Sequence, residues 1–203
     1  MSALKPTITL LLVGGLVALC TPTPKPKPTT RPTAAPQQRA VKLGQQAASK
    51  LRAALGRRVR AAMQQGGPAQ AIAVCAGDAL NITADVNRQL SKGVTIRRTS
   101  LRYRNPKNAP DAAEKRALSR LAVAGSSDHI LEQEHHPGGT VYRYYQPIRT
   151  VGMCLRCHGP ANKLAPPVQA ILKQRYPDDR ATGYKPGDLR GIFSVTIPTS
   201  ALE

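Results

Sequence analysis

The chain has 203 residues, with 30 Lys and Arg against 11 Asp and Glu and a formal net charge of +19. That length suits one domain with an N-terminal extension, and a charge this high bears on partners and solubility rather than on fold. No nucleic-acid-binding motif accompanies the charge. Trp is absent and Phe occurs once, so a core built from this chain is short of flat apolar side chains.

Lys5 precedes an apolar run from Ile8 to Leu19, which has the length of a signal h-region rather than of a membrane span. The run ends Val17-Ala18-Leu19-Cys20, similar to a bacterial lipoprotein signal except for Leu19 just before the cysteine. Lipidation at Cys20, ordinary cleavage nearby, or retention as an anchor all place the remainder of the chain outside the cytoplasm. Residues 1–20 are therefore read as a signal segment. Residues 21–37 are a Pro/Thr-rich linker with almost nothing apolar to bury. The folded domain is expected over 38–203.

Leu51, Leu55 and Val59 recur at helical spacing, with Ala47, Ala48, Ala62 and Met63 beside them, and predict a helix over 38–65. Gly66-Gly67-Pro68 ends it, and Pro68 opens a second helix over about 68–80. Ala71, Ile72, Cys75 and Ala79 share one face of that helix, which by geometry alone makes Cys75 a packed core thiol. Residues 1–77 carry eleven Lys or Arg and no Asp or Glu. Residues 94–101 alternate like a strand, and Asn105-Pro106 with Asn108-Ala109-Pro110 reads as a loop. Asp111 and Glu114 mark the start of a helix to about 124. Two strands follow near 128–134 and 140–147, joined at a tip that contains His135 and His136. A short helix covers about 167–175, and a last strand runs over 191–197. Helices first and an antiparallel sheet afterwards make the fold class α+β.

The motif richest in chemistry is Cys154-Leu155-Arg156-Cys157-His158. C-x-x-C-H is the spacing of c-type haem attachment. Residues i and i+3 of a helical turn share a face, so two thiols can form thioethers to the two vinyl groups of one haem. His158 then supplies an axial ligand to the iron. A redox dithiol, a disulfide, or a zinc site that recruits Cys75 are the competing readings of the same cysteines. A covalent haem would also provide the flat apolar bulk that the composition lacks. Arg98, Arg102 and Arg104 are candidate partners for haem propionates, since a guanidinium matches a carboxylate fork; ordinary surface charge is the alternative.

Four segments resemble the family of PAS-like c-type haem domains. They are Ala71-Ile72-Ala73-Val74-Cys75, the stretch from Arg98 to Pro110, the haem motif, and Tyr176 to Tyr184 with Gly187 to Gly191. The resemblance spans about 70–198 and implies a PAS-like antiparallel sheet with N-terminal helices around one covalent haem c. It also implies that Cys75 is the second axial ligand opposite His158, with Met153 and His129 as rivals by residue type. A haem ligated on both sides suits electron transfer or redox reporting better than enzymatic turnover. A gas or redox sensor acting through a separate partner is the alternative, and a haem enzyme with an open distal site is a more distant one. The expected setting is periplasmic or otherwise extracytoplasmic, anchored through the N-terminus. The expected partners are an acidic redox protein and an anionic membrane surface rather than nucleic acid.

Overall fold

Helix α1 (Ala34–Gly77) opens the described part of the protein, a computed structural model that covers residues 34–124 and 128–203. The signal segment, Cys20 and the linker as far as residue 33 lie outside the described residues. Ala34 to Gln37, expected as linker, form the first turn of α1 instead. Alanine favours helix, and a proline in the first turn loses no intrahelical hydrogen bond. The break expected at Gly66-Gly67 is present inside α1 as non-helical backbone, with Gly67 at φ +67°, a conformation that suits glycine. Helix resumes at Pro68 and brings Cys75 toward the rest of the domain.

Helix α2 (Ala79–Arg88) comes immediately after, where the sequence predicts only the tail of the second helix. Its Ile82, Thr83 and Val86 are weak helix formers, so its stability comes from tertiary contacts. Arg58 pairs with Asp78 at 2.9 Å just ahead of it. The Asn87 side chain accepts the Ile96 N–H at 2.7 Å and donates to the Ile96 carbonyl at 3.0 Å. Ile96 lies on strand β1 (Thr95–Thr99), so Asn87 satisfies backbone groups on a strand that would otherwise be an open edge.

Helix α3 (Ala112–Ala124) starts where expected. Asp111 Oδ1 accepts the Glu114 N–H at 2.7 Å, and Glu114 Oε2 accepts the Asp111 N–H at 2.9 Å, forming a reciprocal capping box. Arg143 adds a 2.6 Å bond to Asp111. Burial alone would raise the Asp111 pKa, but the Glu114 N–H and the Arg143 guanidinium outweigh it and hold the carboxyl below its ordinary value. Asp111→Ala should cost about 1 kcal/mol in urea unfolding at neutral pH. Because the folded-state pKa is depressed, that contribution is lost as pH falls through it, so wild type and variant should converge in acid.

The sheet adds β2 (Ile130–His136), β3 (Gly139–Arg149) and β4 (Leu189–Pro198) in the order β1-β4-β3-β2, every pair antiparallel. The turn between β2 and β3 narrows to Pro137-Gly138, so His135 and His136 end a strand rather than sit at a tip. Both are exposed, one beside Thr140 and the other beside Glu134. Alternation along β4 serves two layers. Phe193, Val195 and Ile197 join Leu51, Ala47, Ala48 and Leu55 of α1, while Ile192 packs on Ala117, Leu118 and Leu121 of α3. Arg52, Arg57, Arg58 and Arg60 face outward, as the helical stripe predicts. Full burial of a leucine such as Leu51 contributes roughly 1.5–3 kcal/mol.

Candidate functional site

The motif folds as a tight turn. A 3-10 turn, Gly152–Cys154, runs into the single helical turn α4 (Leu155–His158), which sets Cys154 and Cys157 one turn apart. Gly159 closes the turn. A side chain there would bring its Cβ to 2.6 Å from the Leu155 carbonyl, so the chain leaves His158 along a path open to glycine. Cys154 and Cys157 line an apolar pocket with Val59, Met63, Ile72 and Met153. The two are not joined to each other, and burial raises the Cys157 thiol pKa. Among the described residues no group of three or more His, Cys, Asp and Glu side chains is arranged to hold a bare metal ion.

His158 is clamped by the loop after helix α5 (Pro166–Arg175). Its carbonyl accepts the Tyr184 N–H at 2.9 Å, and the Gly159 carbonyl accepts the Gly183 N–H at 2.7 Å. The ring Nδ1 lies 2.7 Å from the Ala181 carbonyl. Arg190 Nε also approaches Nδ1, at 3.4 Å, but one ring nitrogen cannot donate to a carbonyl and accept from a guanidinium together. The shorter contact decides: Nδ1 carries the proton and Nε2 keeps a free lone pair. Burial, then Arg190 and Arg104, push the His158 pKa well below its ordinary value. A neutral imidazole with a free Nε2 is the form that ligates metals.

Cys75 meets the same space from α1. A second pocket is lined by Cys75, Arg98, Tyr103, His158, Tyr176 and Arg190, with Ser100, Asn105 and Asn108 around them. Cys75, Arg104 and His158 border both pockets, so the two adjoin at these side chains and together make up the cleft. Cys75 is half-buried and borders this cleft, which departs from the packed core thiol that helical spacing alone suggests. Burial raises its pKa, and Arg98 and Arg104 oppose that shift. The cleft is two-faced: an apolar half carries the motif thiols, and a polar half carries guanidinium groups.

The three sequence-predicted arginines part company here. Arg98, half-buried on β1, borders the polar half beside Cys75 and Tyr176. Arg102 is exposed, bonds the Arg180 carbonyl at 3.3 Å and stacks on the Tyr184 ring at 4.2 Å. Arg104 is 9% exposed and already committed: it pairs with Asp179 at 3.0 Å and donates to the Cys157 carbonyl at 2.7 Å. Arg102 and Arg104 therefore hold the motif turn and its clamping loop in place. Met153 is 51% exposed at the rim of the apolar half, on the motif's own turn. His129 stacks on Tyr144 with ring centroids 5.0 Å apart and borders neither half of the cleft. Sequence reasoning missed Arg190 and Ala181. Arg190 had only its place in the segment Gly187 to Gly191 to signal it, and Ala181 acts through its carbonyl, which no side chain announces.

An antiparallel α+β domain, with a thiol- and imidazole-lined cleft between its long N-terminal helix and a clamped C-x-x-C-H turn, defines a small cofactor-binding protein. Residues 31–198 match the Tll0287-like family, and the chain belongs to it. The chain is also similar to the crystal structure of the cyanobacterial heme-protein Tll0287. That match has 27% identity and a TM-score of 0.57, and covers 80% of this chain and 94% of the other. No curated protein matches the chain.

Proposed function

We propose that this protein carries one covalent haem c and serves as a redox carrier or redox reporter. The observation that carries the reading is the convergence on one cleft of the motif thiols, a neutral His158 with its Nε2 free, and Cys75 from another element. Cys154 and Cys157 would hold the macrocycle by thioethers, and His158 and Cys75 would be its two axial ligands. When bound, haem supplies a one-electron couple at its iron. The chain's own part is positional. Ala181 fixes the imidazole tautomer, Arg104 and the loop 181–184 hold the turn rigid, and Val59, Met63 and Ile72 keep the thioether side dry. With His158 and Cys75 both holding the iron, no place would be left for substrate, which favours carrier over enzyme.

The proposed setting is extracytoplasmic, with the domain anchored through the N-terminal segment that precedes α1. The proposed partners are an acidic redox protein and an anionic membrane surface, given the cationic outer face of α1. A sensor acting through a separate partner is the second reading. It is favoured by the polar groups beside Cys75, where Tyr103 and Asn108 could hold a small ligand that displaces the thiol.

Optical and EPR spectra of both oxidation states separate these readings. A carrier should be six-coordinate and low-spin in both states, with a thiolate signature in the ferric form, and should not bind CO. A ferrous form that binds CO would instead support the sensor. A five-coordinate high-spin ferric form would contradict dual ligation and reopen the enzyme reading.

A further inference from the structure

The polar half of the cleft holds more cationic charge than the protein neutralises. The Arg98 side chain makes no hydrogen bond and no ion pair among the described residues. Arg190 makes two long hydrogen-bond contacts, 3.4 Å to His158 Nδ1 and 3.3 Å to the Arg102 carbonyl, and lies 5.5 Å from the centre of the Tyr184 ring, and none of these partners is a carboxylate. Asp179, the carboxylate that acts on Arg190, is already paired with Arg104. Burial lowers the pKa of Arg190 against the pull of Tyr184, with Arg104 and then Arg98 adding to the drop, and burial lowers that of Arg98. Guanidinium groups drawn out of bulk water without a counter-charge are costly. Both border the same pocket, with Ser100 and Tyr103, while the motif thiols border the other one.

We infer that Arg98 and Arg190 form an internal site for a pair of carboxylates at the polar end of the cleft. On the function proposed for the cleft, on which this inference rests, those carboxylates are the two haem propionates. The thiols at the apolar end and the arginines at the polar end would then fix the macrocycle in one of its orientations. Arg102 and Arg104 take no part, and Arg190 takes their place. A free dianion is the other source of the same chemistry.

The test uses the full chain with Cys154→Ala and Cys157→Ala, so that binding is reversible, titrated with haem and with haem dimethyl ester. Esterification should weaken binding at least about tenfold, the scale of a lost charge-assisted hydrogen bond. In Arg98→Leu/Arg190→Leu the two porphyrins should bind alike, and Arg98→Lys/Arg190→Lys should recover part of the preference. Equal binding by the parent chain, or a preference that survives the leucine substitutions, overturns the assignment. If neither porphyrin binds and wild-type protein carries no haem, the haem reading fails. Heat unfolding with oxalate then decides: stabilisation that needs both arginines supports a free-dianion site, and no stabilisation overturns it.

Discussion

Cys154→Ala/Cys157→Ala should abolish haem that resists acid-acetone extraction, while each single substitution should leave one thioether and a shifted optical band. The two thiols border one apolar pocket on the same helical turn, so each has its own reach to the macrocycle and neither substitutes for the other. His158 and its bond to Ala181 are untouched by these changes, so iron ligation should survive in any haem bound reversibly. Cys157 packs against the cluster of Ile72, Leu164 and the α5 residue Val168, so Cys157→Ala should also cost some stability, and Cys154→Ala little. Quantitative extraction of haem from wild type would contradict the prediction.

Cys75→Ser should keep the haem attached, change its spectrum and raise its midpoint potential. A thiolate is an anionic donor that favours ferric iron, and a serine hydroxyl is neither anionic at ordinary pH nor a strong ligand. The expected rise is on the order of 0.1 V, within the about 0.8 V that axial ligands span. Serine is close to isosteric, and Cys75 borders a cavity, so unfolding does not compete as an explanation. Potentiometry with optical detection reads the shift. An unchanged spectrum and potential would return Cys75 to a structural role and bring Met153 forward, which already borders the same pocket.

What the sequence made legible is what local spacing controls. The C-x-x-C-H turn, the Leu51–Leu55 stripe, the Gly66-Gly67 break and the Asp111–Glu114 cap each lie within a few residues, and each folds as its spacing implies. The resemblance brought Cys75 to the motif, a pairing that helical period alone placed in the core. Long-range groups stayed hidden. Arg98, Arg102 and Arg104 look alike in a row, yet strand pairing turns Arg98 into the cleft while Asp179, 75 residues further on, claims Arg104. Arg190 reaches the site because β4 starts beside β1, a neighbourhood set by sheet order. Helix α2 is hidden by its own β-branched residues, since what propensity withholds comes from long-range bonds, Asn87 to Ile96 on β1 and Arg58 to Asp78.

The central claim, one covalent haem on the motif cysteines, is tested most directly by the intact mass of the denatured wild-type protein, expressed in a host that attaches c-type haem. The expected mass equals the processed chain plus one haem, with the haem absorbance travelling on the same species. A denatured chain at its bare mass, with haem released or absent, would contradict the claim.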